Sequence, residues 1–270
     1  MSGRTASSTT VAALRTTGNQ LIELARRPGM AGRRVADPPG WTVPQVLAGL
    51  TQLITRHAAP FDDADGDPAT RGPEAGTGAG DPRARGPAAG ELERAVAALR
   101  RAVGSLPSGP GVDGAGPVPY LGALEVPPAD LYAAVLGEML VHGYDIALAG
   151  HRGWPIDPDA AAAALRGGNA ARPAWVDPAR ACGLIGRVEL RARDQPHCRW
   201  QFDEGRLEVA PAEPWRPDVV ISAPAAELLL FLHDRMSPWP ALATGRVRMW
   251  GRRPGLAART ATAFRCPLTY

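Results

Sequence analysis

The stretch LGEMLVHGYDIALAG, residues 136–150, constrains this chain more than any other. It reads as a helix of mostly apolar residues. Along it Leu131, Val135, Glu138, His142 and Asp145 are spaced 4-3-4-3. That is a heptad-like stripe, the seam a bundle helix turns toward its neighbours. Glu138 and His142 therefore stand where core leucines are expected. Burying a carboxylate or an imidazole is costly unless it is paired or bound to a metal. Residues four apart lie one turn apart on one helix face, so the two tips can converge on a single ion, and both are ordinary zinc ligands. The same spacing equally suits a plain i,i+4 pair on a partly solvated face. Met139, Leu140 and Val141 make the helix apolar on more than one side, so the inward assignment is not forced.

Three more helices are predicted before it. Residues 8–27 place Val11, Leu14, Gly18, Leu21, Ile22 and Ala25 on one face. The second begins at GWTVPQVLAGL, where Thr42 and Gln45 form a capping box and Trp41 can staple onto Val46. Pro44 is tolerated in that first turn, and Val46, Leu50, Leu53 and Ile54 give the buried face. The third, 91–105, buries Leu92, Val96, Leu99 and Val103, and the fourth runs over about 129–149. Between the second and third, residues 60–90 hold 12 Gly or Pro among 31 residues, with Phe61 the only large apolar side chain. Such a segment cannot bury enough to order itself and is expected to be a mobile loop. Its GTGAG has no strand before it and is not a phosphate loop. Residues 106–128 read as a Gly/Pro-rich connection pinned by Tyr120 and Leu121. Four helices joined this way predict a bundle over residues 1–150.

After residue 150 the pattern changes. A short helix starts at Asp157. Leu184, Gly186, Val188, Leu190 and Ala192 then alternate with polar residues, Ile185 excepted, and Cys198, Trp200 and Phe202 do likewise. Asp203-Glu204-Gly205 reads as a hairpin turn. DVVIS (218–222) and GRVRMWG (245–251) are further strands, and helices are expected over 224–236 and 253–264. Strands meeting strands, with helices grouped apart, predict a small α+β domain over 151–270 and an α+β chain as a whole.

Composition narrows the function. With 270 residues and 45% apolar content, the chain can build a substantial core. No uninterrupted apolar run approaches the ~20 residues of a membrane span, and the N-terminus lacks the apolar core of a secretory signal. A soluble intracellular protein with no membrane partner is expected. All 30 basic residues are Arg, yet they are scattered and carry no interleaved aromatics, so nucleic-acid binding is not expected. Cys182, Cys198 and Cys266 form no CxxC pair and read as reduced thiols rather than a disulfide or zinc framework.

GWTVPQVLAGL followed by GEMLVHGYDIALAG resembles the mycothiol-dependent maleylpyruvate isomerase family, part of the broader DinB-like metal-binding bundles. Its members typically read GWT-V-x-x-V-L-A-H-L and E-x-x-x-H-G-x-D in these two helices. DVVISAPAAELLLFLHDRM and ATGRVRMWG resemble the family's sterol-carrier-like C-terminal domain. The resemblance covers nearly the whole chain apart from residues 60–90, and the all-Arg composition suits an actinobacterial source, where mycothiol replaces glutathione. It implies a DinB-like four-helix bundle, a sterol-carrier-like domain and a cytoplasmic enzyme, an isomerase or thiol transferase. Its partners would be a small electrophilic substrate and a low-molecular-weight thiol. A divalent metal, usually zinc, would be held by Glu138, His142 and a helix-two His, with Asp145 orienting or charging the site. Zinc with an open position binds a thiol and lowers its pKa. In the isomerase the mycothiol thiolate adds to the cis double bond of maleylpyruvate, and rotation and elimination give fumarylpyruvate. Arg246 matches the family's second-domain arginine for an anionic substrate or thiol; a solvated strand arginine is the plainer reading.

The helix-two His is absent. Where the family reads VLAHL this chain reads VLAGL, and Gly49 supplies no ligand. His57 lies about 12 Å further along the helix at ~1.5 Å per residue. Gln45 and Gln52 are neutral amides, poor zinc ligands beside imidazole. Three readings follow: a ligand recruited from His151, His197 or His233; a vestigial site in a non-catalytic small-molecule binder; or a metal-free tailoring enzyme with Glu138 or His142 as acid or base. A sterol-carrier-like cavity could hold an apolar ligand without chemistry. Trp41 reads as a helix-start staple rather than a substrate platform, and Tyr144 is turned about 160° away from His142.

Overall fold

The computed structural model describes residues 3–62, 88–106, 116–120, 124–193, 195, 197–211 and 216–265. The loop expected over 60–90 lies mostly outside these residues, as do Leu121 and Cys266. The chain is α+β, and its contacts divide it into two units. The first comprises Met1–Gly116 with His142–Trp154, the second Pro117–Val141 with Pro155–Tyr270.

The first unit holds α1 (Gly3–Ala25), α2 (Val43–Asp62), α3 (Ala88–Gly104) and the last turns of α4 (Pro128–Ala149). The periodic residues form its core: Val11, Leu14, Leu21 and Ile22 of α1, Val46, Leu50, Leu53 and Ile54 of α2, and Leu92, Val96, Leu99 and Val103 of α3 are all buried. At the start of α2 the Thr42 amide donates to Gln45 Oε1 at 2.8 Å, one arm of the expected capping box. Gly143 has a steric reason: a Cβ there would run into the Trp154 indole.

The second unit opens with an antiparallel ribbon of β1 (Val118–Tyr120) and β2 (Leu124–Val126), followed by the first turns of α4. The ribbon was not expected; two strands of three residues each, within a Pro/Gly-rich segment, give too short an alternation to read. α5 (Pro158–Ala171) is N-capped by Asp157, whose carboxylate accepts the Ala160 amide at 2.9 Å, with Pro158 in the first turn. Its alanines and Gly167 let α5 lie close to α4; a Cβ on Gly167 would strike the Asp130 carbonyl and Ala133. A 3₁₀ turn, Arg172–Trp175, follows.

The five-stranded sheet has the order β5-β4-β3-β6-β7. Its strands are β3 (Gly186–Ala192), β4 (Cys198–Asp203), β5 (Arg206–Pro211), β6 (Val219–Ala223) and β7 (Arg248–Gly251). Only β3 and β6 pair parallel. Between β4 and β5, Glu204 and Gly205 both take positive φ, 48° and 85°, the backbone a two-residue hairpin turn needs. α6 (Ala225–Leu232), α7 (Pro238–Ala243) and α8 (Gly255–Ala261) complete the unit. α6 and α8 are shorter than expected, and β7 starts only at Arg248.

α4 corrects the seam reading. Every residue from Leu131 to Gly143 is buried, so the helix has no solvent side over that stretch. By length and composition the whole of α4 could cross a membrane, yet 89% of its 18-residue apolar window is buried inside the protein. A helix apolar all round is the centre of a core.

Gly143→Ala must displace Trp154 and is expected to cost about 1–3 kcal/mol. Gly153→Ala, with nothing within 4 Å of the added methyl group, should stay within about 0.5 kcal/mol of the parent. Urea unfolding of both variants checks the contrast.

Candidate functional site

The end of α6 builds the first half of the site. The Arg235 amide donates to the Leu230 carbonyl at 2.8 Å and the Asp234 amide to Phe231 at 3.1 Å. This is a Schellman cap, with Asp234 at φ 58° in the left-handed position glycine usually fills. The cap halts the helix at His233. There the ring Nδ1 lies 2.8 Å from the Leu229 carbonyl. A carbonyl only accepts, so Nδ1 carries the proton and Nε2 is left with its lone pair. That Nε2 lies 3.6 Å from Oε1 of Glu138, just beyond a hydrogen bond, and the contact becomes an ion pair only when the ring takes a second proton. Glu138 is 2% exposed. Burial pulls the His233 pKa below the usual imidazole value; the Glu138 contact opposes this and the charge of Arg172 adds to it.

Arg172 builds the other half. It is buried, and its guanidinium lies over three rings: Trp175 at 4.9 Å, Phe264 at 5.0 Å and Trp200 at 5.4 Å. Cation–π attraction offsets part of the lost hydration. Burial pulls its pKa down to about 10, and Glu138 is the foremost of the charges that hold it up. Arg172 therefore remains a cation at neutral pH. Trp175 joins the parts. Its indole N–H donates to the Tyr120 hydroxyl at 2.7 Å, and the His233 ring meets it edge-on at 6.3 Å.

The other expected residues lie as follows. His142 is buried, with Nδ1 3.0 Å from Oδ2 of Asp145. That is the contact by which a carboxylate fixes an imidazole. Arg246 is exposed and donates from Nε to Glu227 at 2.9 Å. Of the three recruitable histidines, His233 reaches Glu138. His197 lies 3.2 Å from Glu189, and His151 is exposed just after α4. Sequence reasoning missed Arg172 altogether. Its partners come from the 3₁₀ turn, β4 and the stretch after α8, so nothing local to AARPAW marks it.

The second unit also contains a cavity of about 600 Å³ between α5, α6 and the sheet, lined by Leu165, Leu190, Leu207, Val209 and Leu228 among others. Arg166 stands on its wall and donates to Gln195 at 2.9 Å. Cys198 also lines it, and burial pushes that thiol up to about 11, away from ready thiolate formation.

The divalent metal that the sequence resemblance implies does not fit these residues. Gly49 offers no ligand, and among the described residues no three His, Cys, Asp or Glu side chains group to hold an ion. Glu138 instead faces an imidazole and lies in the field of a buried guanidinium.

The chain matches no protein-family model and no curated protein. Among solved structures it is similar to a mycothiol-dependent maleylpyruvate isomerase, at 16% identity over 86% of this chain and 89% of that one, with a TM-score of 0.46. A mutant of that enzyme gives 16% identity, 90% and 91% coverage and a TM-score of 0.47. The ubiquinone synthesis protein UbiJ-SCP2 is similar at 19% identity over 32% of this chain and 73% of its own, with a TM-score of 0.27.

His57, a buried imidazole on α2, yields a pH prediction. Burial, then Arg56, lowers its pKa from 6.5 to about 4. The folded value lies below the unfolded one, so its contribution is complete above the unfolded pKa and is lost as the pH falls toward the folded one. The loss should run at about 1.4 kcal/mol per pH unit and total on the order of 3 kcal/mol. Urea unfolding of wild type and His57→Gln between pH 7 and pH 4.5 should show the wild type losing the greater share.

Proposed function

We propose that the protein acts on a small electrophilic substrate together with a low-molecular-weight thiol, by thiol addition, thiol transfer or cis–trans isomerisation, at a site whose metal-binding set is degenerate at Gly49. Mycothiol is the thiol, and a cytoplasmic setting the location, that the sequence resemblance suggests. The observation that carries the reading is the buried Glu138–His233 contact. Ionisable pairs held in an interior are costly to keep and concentrate at functional sites.

The chemistry needs a base. A thiol must give up its proton before sulfur can attack. His233 Nε2 has a lone pair that the backbone does not occupy, and its Nδ1–H is anchored on Leu229. Glu138 stands where a carboxylate stabilises the imidazolium that forms. As the S–C bond forms, the π pair of the double bond moves onto the conjugated carbonyl oxygen. Rotation about the resulting single bond follows. Collapse of the enolate then restores the double bond, expels the thiolate, and lets the thiolate recover its proton. Arg246 is the candidate contact for an anionic substrate, which would displace Glu227 from it.

The cavity favours a second reading, a non-catalytic binder of an apolar small molecule. Its size suits a drug-sized ligand. Turnover of maleylpyruvate with mycothiol and with other low-molecular-weight thiols separates the two. The first reading expects thiol-dependent turnover that falls about 100-fold or more in Glu138→Gln. Arg246→Met should raise KM more than it lowers kcat. No turnover with any thiol, together with an apolar fluorescent probe bound equally by wild type and Glu138→Gln, would support the binder instead.

A further inference from the structure

We infer that the buried Arg172 guanidinium has taken over the charge of the divalent ion, with the neutral His233 ring filling the space against the carboxylate, so that the protein keeps no metal at Glu138. The inference uses the proposed function only to equate Glu138 with the metal-binding glutamate of the resembling family.

The geometry has two competing explanations. A histidine whose Nδ1–H is fixed on a carbonyl and whose Nε2 faces a carboxylate is also what a metal-binding histidine looks like. Two features decide against that. The first is ligand number. Structural and catalytic zinc sites draw three or four ligands from the protein, and the described residues offer no such group. The second is charge. Arg172 lies over Trp175 at 4.9 Å, and His233 lies against the same indole at 6.3 Å. A guanidinium does not give up its proton at any ordinary pH. A divalent cation at Glu138 would have to enter the field of a permanent buried cation. Glu138, for its part, needs positive charge nearby to remain ionised in the interior. The three aromatic rings hold that charge in place. Nε of Arg172 finds no hydrogen-bond acceptor among the described residues, so on that edge the guanidinium relies on the rings.

The test is the zinc content of the full chain by plasma mass spectrometry, as purified and after zinc loading and desalting, read beside thermal unfolding. The expected result is below about 0.1 zinc per chain, with a Tm that neither zinc nor chelator moves. Arg172→Met should lower the Tm, and Arg172→Met/Glu138→Gln should recover more than half of that loss, because the stranded carboxylate is gone. About one zinc per chain, lost in Glu138→Gln and in His233→Ala, would overturn the inference, as would Tm losses that simply add. The zinc measurement needs no variant, so it decides even where Arg172→Met yields no folded protein. Turnover enters neither readout, so an absence of thiol-dependent activity sinks the proposed function and leaves this test standing.

Discussion

A helix without a polar side has to be enclosed on every side. α4 is such a helix: from Leu131 to Gly143 it has no exposed residue. That enclosure carries Glu138 and His142 into the interior, where neither can rely on water. Each must find a partner that the fold supplies. His142 has Asp145 one turn further along, so its partner is fixed by helix geometry alone. Glu138 has His233, brought to it by the end of α6. Small residues make room for the packing. Gly167 lets α5 approach the α4 backbone, and Gly143 leaves space for Trp154. The glycine within HGYD thus has a packing role as definite as the chemical roles of its neighbours.

Trp175 links three segments of the second unit. It bonds Tyr120 of β1, carries Arg172 on its face and meets His233 with its edge. The arrangement explains how a guanidinium with three ring neighbours can be tolerated in a core. Aromatic faces replace some of its lost hydration, and the Glu138 charge offsets more. Buried charges of this kind are poor evidence of extra stability, because desolvation offsets most of the attraction. What they do require is that every member be present. Removing one strands the others, which makes the cluster sensitive to single substitutions out of proportion to its net energy.

The sequence was informative wherever the controlling interaction is local. The 3.6-residue periodicity marked the core faces of α1, α2 and α3, and the alternation from Leu184 to Ala192 marked β3. Asp203-Glu204-Gly205 announced its turn through Gly205, which takes φ 85° without a Cβ penalty. The β1–β2 ribbon is too short to show a period. The end of α6 was hidden for a subtler reason. Apolar periodicity runs on past Leu232, and the stop depends on Asp234 adopting a conformation for which glycine is the usual signal. His233 is the C-cap just before that turn, and its ring is held by Nδ1 against the Leu229 carbonyl. Arg172 was illegible because its three rings lie at Trp175, Trp200 and Phe264, too dispersed in sequence for any local pattern. Glu138, by contrast, stood out as a carboxylate on an apolar helix, and it is buried. Arg246 could be placed on a surface position next to β7 but not assigned a partner, which the structure gives as Glu227.

Under the proposed function, Gly49 bears on more than a ligand count. A buried carboxylate needs positive charge nearby, and several kinds of cation can meet that need. A metal ion with an open coordination position supplies the charge and also binds a thiol and draws off its proton. A guanidinium supplies the charge alone; it has no coordination position and no proton to exchange. Where Arg172 is the cation, a thiol that reacts at this site has to lose its proton to a side chain. Among the described residues facing Glu138, His233 offers the lone pair to take it. Under the proposed function, the backbone cap at Asp234, the glycine at position 49 and the burial of Arg172 bear on a single question: which group would carry the thiol proton.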